Sequence, residues 1–114
     1  MAKDVRVRLS HMLDCIGWIE EDTAAATLEQ LAVDRRLRQL VERNLEIISE
    51  ASRHIPADLK DRFSSIPWRE IAGIGNILRH NYEEIAPKIM FDLIRHDLPK
   101  LRQALESLTA ALDT

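Results

Sequence analysis

Four residue types suited to phosphate chemistry fall in one short stretch of this chain, at Asn76, Arg79, His80 and Tyr82. On an α-helix, positions four apart share a face, so Asn76, His80 and Glu84 align, flanked by Arg79, Tyr82 and Glu83. An RNA strand carries its own nucleophile, the 2′-hydroxyl. Its cleavage therefore needs only a group that moves a proton and a cation that stabilises the charged phosphorane. Histidine, with an ordinary pKa of about 6.5, suits the first task. Arginine suits the second as a forked phosphate donor. No metal is required. One chain supplies few such groups, and a two-fold dimer bringing two copies of the stretch together would make a fuller site.

Other candidates carry less. Gly73-Ile-Gly75-Asn76 resembles a phosphate-binding glycine loop but has no third glycine and no preceding strand. Glycines two apart on a helix more often mark close approach by another backbone, and both Gly73 and Gly75 are expected to permit it. The remaining histidines, His11, His54 and His96, lie on separate predicted helices without a second histidine three or four residues away, so no metal site is expected. His54 suits the C-terminal end of a helix dipole. Cys15 is the single cysteine; it excludes an internal disulfide and a cysteine metal cage, and reads as a small buried hydrophobe.

The elements that must position these residues are helices. The chain has 114 residues, with 46% hydrophobic and 31% charged side chains, which describes one globular domain over 1–114 with a single core. Three Gly and four Pro punctuate it, and β-branched alternation is absent. No apolar window is long enough for a membrane span and no leader is visible, so a cytoplasmic location is expected. A net charge of −3 argues against coating nucleic acid by bulk electrostatics.

Val5, Leu9, Met12, Leu13, Ile16 and Ile19 recur at helical steps and predict a first helix over 2–21, in which Gly17 offers room to a neighbour. Thr27-Leu28-Glu29-Gln30 has the form of a capping box, opening a second helix that runs to Arg53-His54 before Pro56 and is expected to be the longest. Asn44 falls near its buried stripe, where a polar side chain is expected to find a partner across a helix interface or in a site. A short helix over 57–62 follows. Ser64 and Ser65 are candidate N-caps for a fourth helix, with Pro67 in its first turn and its end near residue 84. Pro87 begins a fifth, which Pro99 should kink.

At several of these segments the sequence resembles the HepT-like toxins of the HEPN superfamily, over nearly the whole chain. Leu45-Glu46-Ile47-Ile48-Ser49-Glu50-Ala51 is similar to the family's Leu-Glu-Ile-Ile-Gly-Glu-Ala signature. Ile66-Pro67-Trp68 matches its Ile-Pro-Trp lead, and Asp97-Leu98-Pro99 with Leu101 matches its Asp-Leu-Pro-x-Leu close. The central motif is Arg, four residues, His, one residue, Tyr. His80-Asn81-Tyr82 fits its second half, and Asn76 fits the polar residue after the Arg, whereas the Arg position itself is Gly75.

The resemblance implies an all-α, antiparallel, HEPN-like bundle of four to five helices that forms a homodimer. It also implies the toxin of a type VII-like toxin-antitoxin pair, an RNA-cleaving enzyme without cofactor. A minimal nucleotidyltransferase antitoxin would neutralise it by transferring AMP to the motif tyrosine, here Tyr82. On that reading His80 is the general base or acid, Arg79 replaces the missing cation, Asn76 orients the substrate, and Glu46 and Asn44 support the site. The other readings are a HEPN dimer that binds a nucleotidyltransferase or nucleic acid without cleaving, and a helical adaptor with no nucleotide chemistry.

Overall fold

The computed structural model describes residues 2–80 and 87–113, with side chains for 5–78 and 87–113. Among them the fold is all-α: α1 (Ala2–Thr23), α2 (Leu28–Val33), α3 (Arg35–Arg53), α4 (Ala57–Arg62), α5 (Trp68–His80), α6 (Pro87–Asp92), a π-helical turn (Leu93–Asp97) and α7 (Leu98–Leu112). No helix among them is long and apolar enough to cross a membrane.

The central rod is α1, which packs against α3 and against α7. Its stripe of Val5, Leu9, Met12, Cys15, Ile16 and Ile19 is buried, because steps of three and four keep one face toward its neighbours. Cys15 is the small hydrophobe expected; burial pushes its thiol pKa up, aided by Asp14, which keeps the group protonated and inert. The helix ends two residues later than predicted, where the Thr23 hydroxyl donates to the Ile19 carbonyl at 2.7 Å. Arg95 then ties this end to the C-terminal arm, donating to Thr23 O at 2.7 Å and to Ala26 O at 3.0 Å. Further along, Arg102 pairs with Glu20 and Arg6 with Asp113, so α7 lies antiparallel to α1. A methyl group at Gly17 would meet the Arg102 guanidinium at 3.8 Å, an ordinary contact, so no close approach depends on this glycine.

The capping box at Thr27 forms as expected, with Thr27 N–H donating to Gln30 Oε1 at 2.9 Å and Gln30 N–H donating to Thr27 Oγ1 at 3.1 Å. The helix it opens is not the longest element, however, because Asp34 divides it. Asp34 adopts φ −86° and ψ 98°, ends α2, and caps α3 by accepting from Leu37 N–H at 3.0 Å. A short carboxylate that can bond nearby backbone N–H groups competes with helix continuation, and here it wins. The 22-residue α1 is longer than the 19-residue α3.

The short helix α4 has the predicted bounds. Ser64 and Ser65 lie in the turn after it and do not cap α5; Pro67 precedes the first helical residue, and its carbonyl accepts from Ile71 N–H at 3.1 Å. Trp68 anchors the entry, its indole N–H donating to Phe63 O at 3.1 Å. Pro87 opens α6 as expected, and the bend expected of Pro99 takes the form of the π-helical turn immediately before α7, with the proline in the first turn of α7.

The contact that matters most for the site joins α3 to α5. Ser49 is buried, and its hydroxyl donates to Ala72 O at 2.8 Å while accepting from Gly75 N–H at 3.1 Å. Arg53, one turn later on α3, donates to the same Ala72 carbonyl at 2.9 Å. That register makes the two helices antiparallel. A serine oxygen can touch the backbone of another helix only where the two approach closely, and buried Gly75 lies at that contact. The close approach expected of both glycines thus belongs to Gly75; a methyl group at Gly73 would meet no atom within 4 Å.

Replacing Ser49 by Ala should cost about 1 kcal/mol of stability, since Ala72 O and Gly75 N–H keep partners within their own helix. Urea unfolding followed by circular dichroism measures it; an unchanged midpoint would show that the clasp contributes nothing.

Candidate functional site

The exposed side of α5 follows from its buried side. Ile71, Gly75 and Leu78 face the core, so Arg69, Gly73, Asn76 and position 80 fall on the opposite flank at steps of three and four. Arg69 and Asn76 are exposed, and the space over Gly73 is open. This flank is an open surface with no side chain at its middle, and with α3 beside it forms the candidate groove. Arg79 and His80 belong to the last turn of α5, so position 80 stands one turn beyond Asn76. Their side chains, and Tyr82, Glu83 and Glu84 entirely, lie outside the described residues.

One wall of the groove is α3. Ser49 and Arg53 reach α5 directly, and steps of three and four backward from Ser49 and Glu46 place Glu46 and Glu42 on the same stripe. Glu46, however, also lines a cavity of about 270 Å³ with Arg8 and His11 of α1 and with Arg43, so its side chain is shared with the α1 side of α3. Glu46 is half-buried and pairs with Arg43 at 3.6 Å. Burial pushes the Glu42 carboxyl pKa up, with Arg38 pulling it down and Glu46 pushing it further up. Asn44 is not part of this wall. It is two residues from both Glu42 and Glu46, which turns it to the far side of α3, and its amide donates to Leu40 O of its own helix at 2.9 Å. The partner expected across an interface is therefore a backbone carbonyl one turn away.

None of the other histidines is on α5, although His11 of α1 shares a cavity with Arg43 and Glu46 of α3. His54 Nε2 lies 3.3 Å from the Glu50 carboxylate, which accepts, at the C-terminal end of α3, the position its helix-dipole reading anticipated. His11 and His96 are exposed. Among the described residues no group of three or more His, Cys, Asp or Glu side chains is placed to hold a metal ion.

Two residues that the sequence did not single out belong to the groove: Ser49, which fixes the helix that forms its floor, and Arg53, whose guanidinium sits at its edge. The signal was present in the spacing of 42, 46, 49 and 53, a stripe distinct from the apolar one of Val41, Leu45 and Ile48. A polar stripe beside an apolar one is ordinary on a helix surface, however, and nothing in the sequence says which neighbour it meets.

The chain is similar to several proteins named as ribonucleases. A "Probable ribonuclease HepT" of Thermococcus cleftensis is 35% identical over 88% of this chain and 91% of that protein. A Methanocaldococcus jannaschii protein provisionally named RNase MJ1380 is 33% identical over 91% of this chain and 95% of its own length. Another from that organism, named as a gamma-glutamylcyclotransferase and provisional RNase, is 32% identical over 99% of this chain, which spans only 51% of it. No solved structure matches the chain significantly. The family model described as Ribonuclease HepT-like matches residues 12–108, a span that begins inside α1, contains the α3–α5 clasp and the whole groove, and ends in α7; the chain belongs to the HepT-like ribonuclease family.

Proposed function

We propose that this chain is a metal-independent endoribonuclease, the toxin of a type VII-like toxin-antitoxin pair, acting as a homodimer. The observation that carries this reading is the family match across the groove and its motif positions. In the reaction the 2′-oxygen attacks the adjacent phosphorus and the 5′-oxygen leaves, giving a 2′,3′-cyclic phosphate and a 5′-hydroxyl end. One His80 takes the 2′-hydroxyl proton, and its two-fold copy returns a proton to the departing 5′-oxygen. Asn76 orients the phosphate from the groove floor, Arg79 contributes positive charge, and Glu46 supports from α3.

The dimer has a candidate surface. Ile77, next to Asn76, is 46% exposed, and it borders an apolar cavity of about 410 Å³ between α5 and α7, lined also by Ile71, Ile74, Leu98 and Leu101. A second copy covering this cavity would remove apolar surface from water and bring two copies of α5 together. Inactivation follows from the two-residue spacing of His80 and Tyr82 in the sequence. The nucleotidyltransferase partner moves AMP from ATP to the Tyr82 phenol with release of pyrophosphate, and a phosphate two residues from His80 then takes the place of the substrate's.

A second reading, a dimer that binds without cleaving, is favoured by one observation: Gly75, at the family's Arg position, is buried and occupied by Ser49, so no cation stems from there. Incubating the protein and its His80→Ala variant with RNA in EDTA separates the two. The first reading expects cyclic-phosphate ends from the wild type and at least a hundredfold slower cleavage by the variant; no cleavage by either at high enzyme selects the second. Size-exclusion chromatography with light scattering should give a dimer for the wild type and a monomer for Ile77→Asp, and a monomeric wild type rejects the dimer. Mass spectrometry after co-expression with a nucleotidyltransferase encoded beside the gene should find one adenylyl group on Tyr82, and an unmodified Tyr82 removes the antitoxin part of the proposal.

A further inference from the structure

The groove has glycine at position 75, and beside it stands a cation from a different helix: we propose that Arg53 of α3 is a phosphate-binding residue of the RNA groove. This rests on the ribonucleic acid reading of the groove given above.

Arg53 is exposed, yet its guanidinium is held in place, since one Nη2–H donates to Ala72 O at 2.9 Å. That carbonyl belongs to the residue before Gly73, over which the space is open. A guanidinium has five N–H donors in a rigid fork. With one spent on Ala72, the rest are free for an anion lying on the glycine. Positive charge is also uncompensated there. The nearest acidic neighbour on the same helix, Glu50, is engaged with His54 at 3.3 Å, and Glu46 is engaged with Arg43 at 3.6 Å. Among the described residues Arg53 has no carboxylate partner.

The competing explanation is structural. A basic residue in the last turn of α3 complements the helix dipole, and its bond to Ala72 adds to the α3–α5 contact. Dipole complementarity accounts for the charge but not for a guanidinium carried across to another helix beside a gap in its side chains. Along α5, Ala72 lies one turn before Asn76 and two turns, about 12 Å, before position 80. Arg53 therefore serves a phosphate on the Gly73 side of the scissile one, with Asn76 between them. It fixes the strand's direction and register rather than moving a proton.

The test is binding of a fluorescein-labelled single-stranded 20-nucleotide RNA, measured by anisotropy across a salt series in a His80→Ala background that does not consume the probe. Adding Arg53→Gln should weaken binding three- to tenfold and make the plot of log K against log salt shallower by about 0.7, the loss of one phosphate contact to a single strand. Arg53→Lys should keep the slope while losing part of the affinity, because the charge remains but the fork does not. Ser49→Ala loosens the same helix contact without removing charge and should leave the slope unchanged. Urea midpoints for every variant confirm folding. The proposal is overturned by an Arg53→Gln slope equal to the parent's, by an equal slope loss in Ser49→Ala, by a slope loss confined to Arg79→Gln, or by a parent that does not bind the RNA. If Arg53→Gln lowers the slope while the wild type cuts no RNA, Arg53 stands and the ribonuclease reading alone fails.

Discussion

A single hydroxyl sets the relation between the two helices that form the groove. Ser49 places one oxygen between the carbonyl of Ala72 and the amide of Gly75. A helix backbone offers such groups to an outsider only when the axes are close, and close axes require that no side chain stand between them. The contact fixes the axial position of α5 and its rotation together, because both a donor and an acceptor must be met. From that follow the burial of Ile71 and Leu78 and the exposure of Asn76.

Gly75 links this constraint to the chemistry. In sequence it is a vacancy, the place where a motif arginine is missing. In the fold it is occupied, by the serine of the neighbouring helix. Ser49 itself stands where the resembling signature has glycine, so the two departures from the pattern, one on each helix, face each other across the same interface. The Ser49 hydroxyl meets the α5 backbone there from the opposite side, and the Arg53 guanidinium rests on the neighbouring Ala72 carbonyl.

How much of this was legible in the sequence differs by element. Apolar periodicity located α1 and the core stripe of α3, because burial at steps of three and four leaves a direct trace in residue type. Proline marked α4 and α6 for the same reason of strict chemistry. The division at Asp34 was hidden, since an aspartate within an otherwise helical pattern is common on a solvated surface and becomes a cap only when its side chain turns back to Leu37. The exposure of Asn76, by contrast, was readable: once Ile71 and Leu78 are known to be apolar, it follows from the helical period. Ser49 and Arg53 were not readable, because their roles depend on which helix lies against them. Tyr82 lies outside the described residues, and its place in the site is carried by the motif spacing alone.

The π-helical turn at Leu93–Asp97 has a consequence for how one length of chain serves two neighbours. Met90, Ile94 and Leu98 are buried at successive steps of four, a spacing that would drift around an ordinary α-helix. The wider turn absorbs that drift, and beyond it Leu101, Leu105 and Leu108 return to the alternation of three and four. The turn acts as a vernier between two gear pitches: α6 meshes with α2, α7 meshes with α1, and the phase between them is set by a local change in winding instead of a loop.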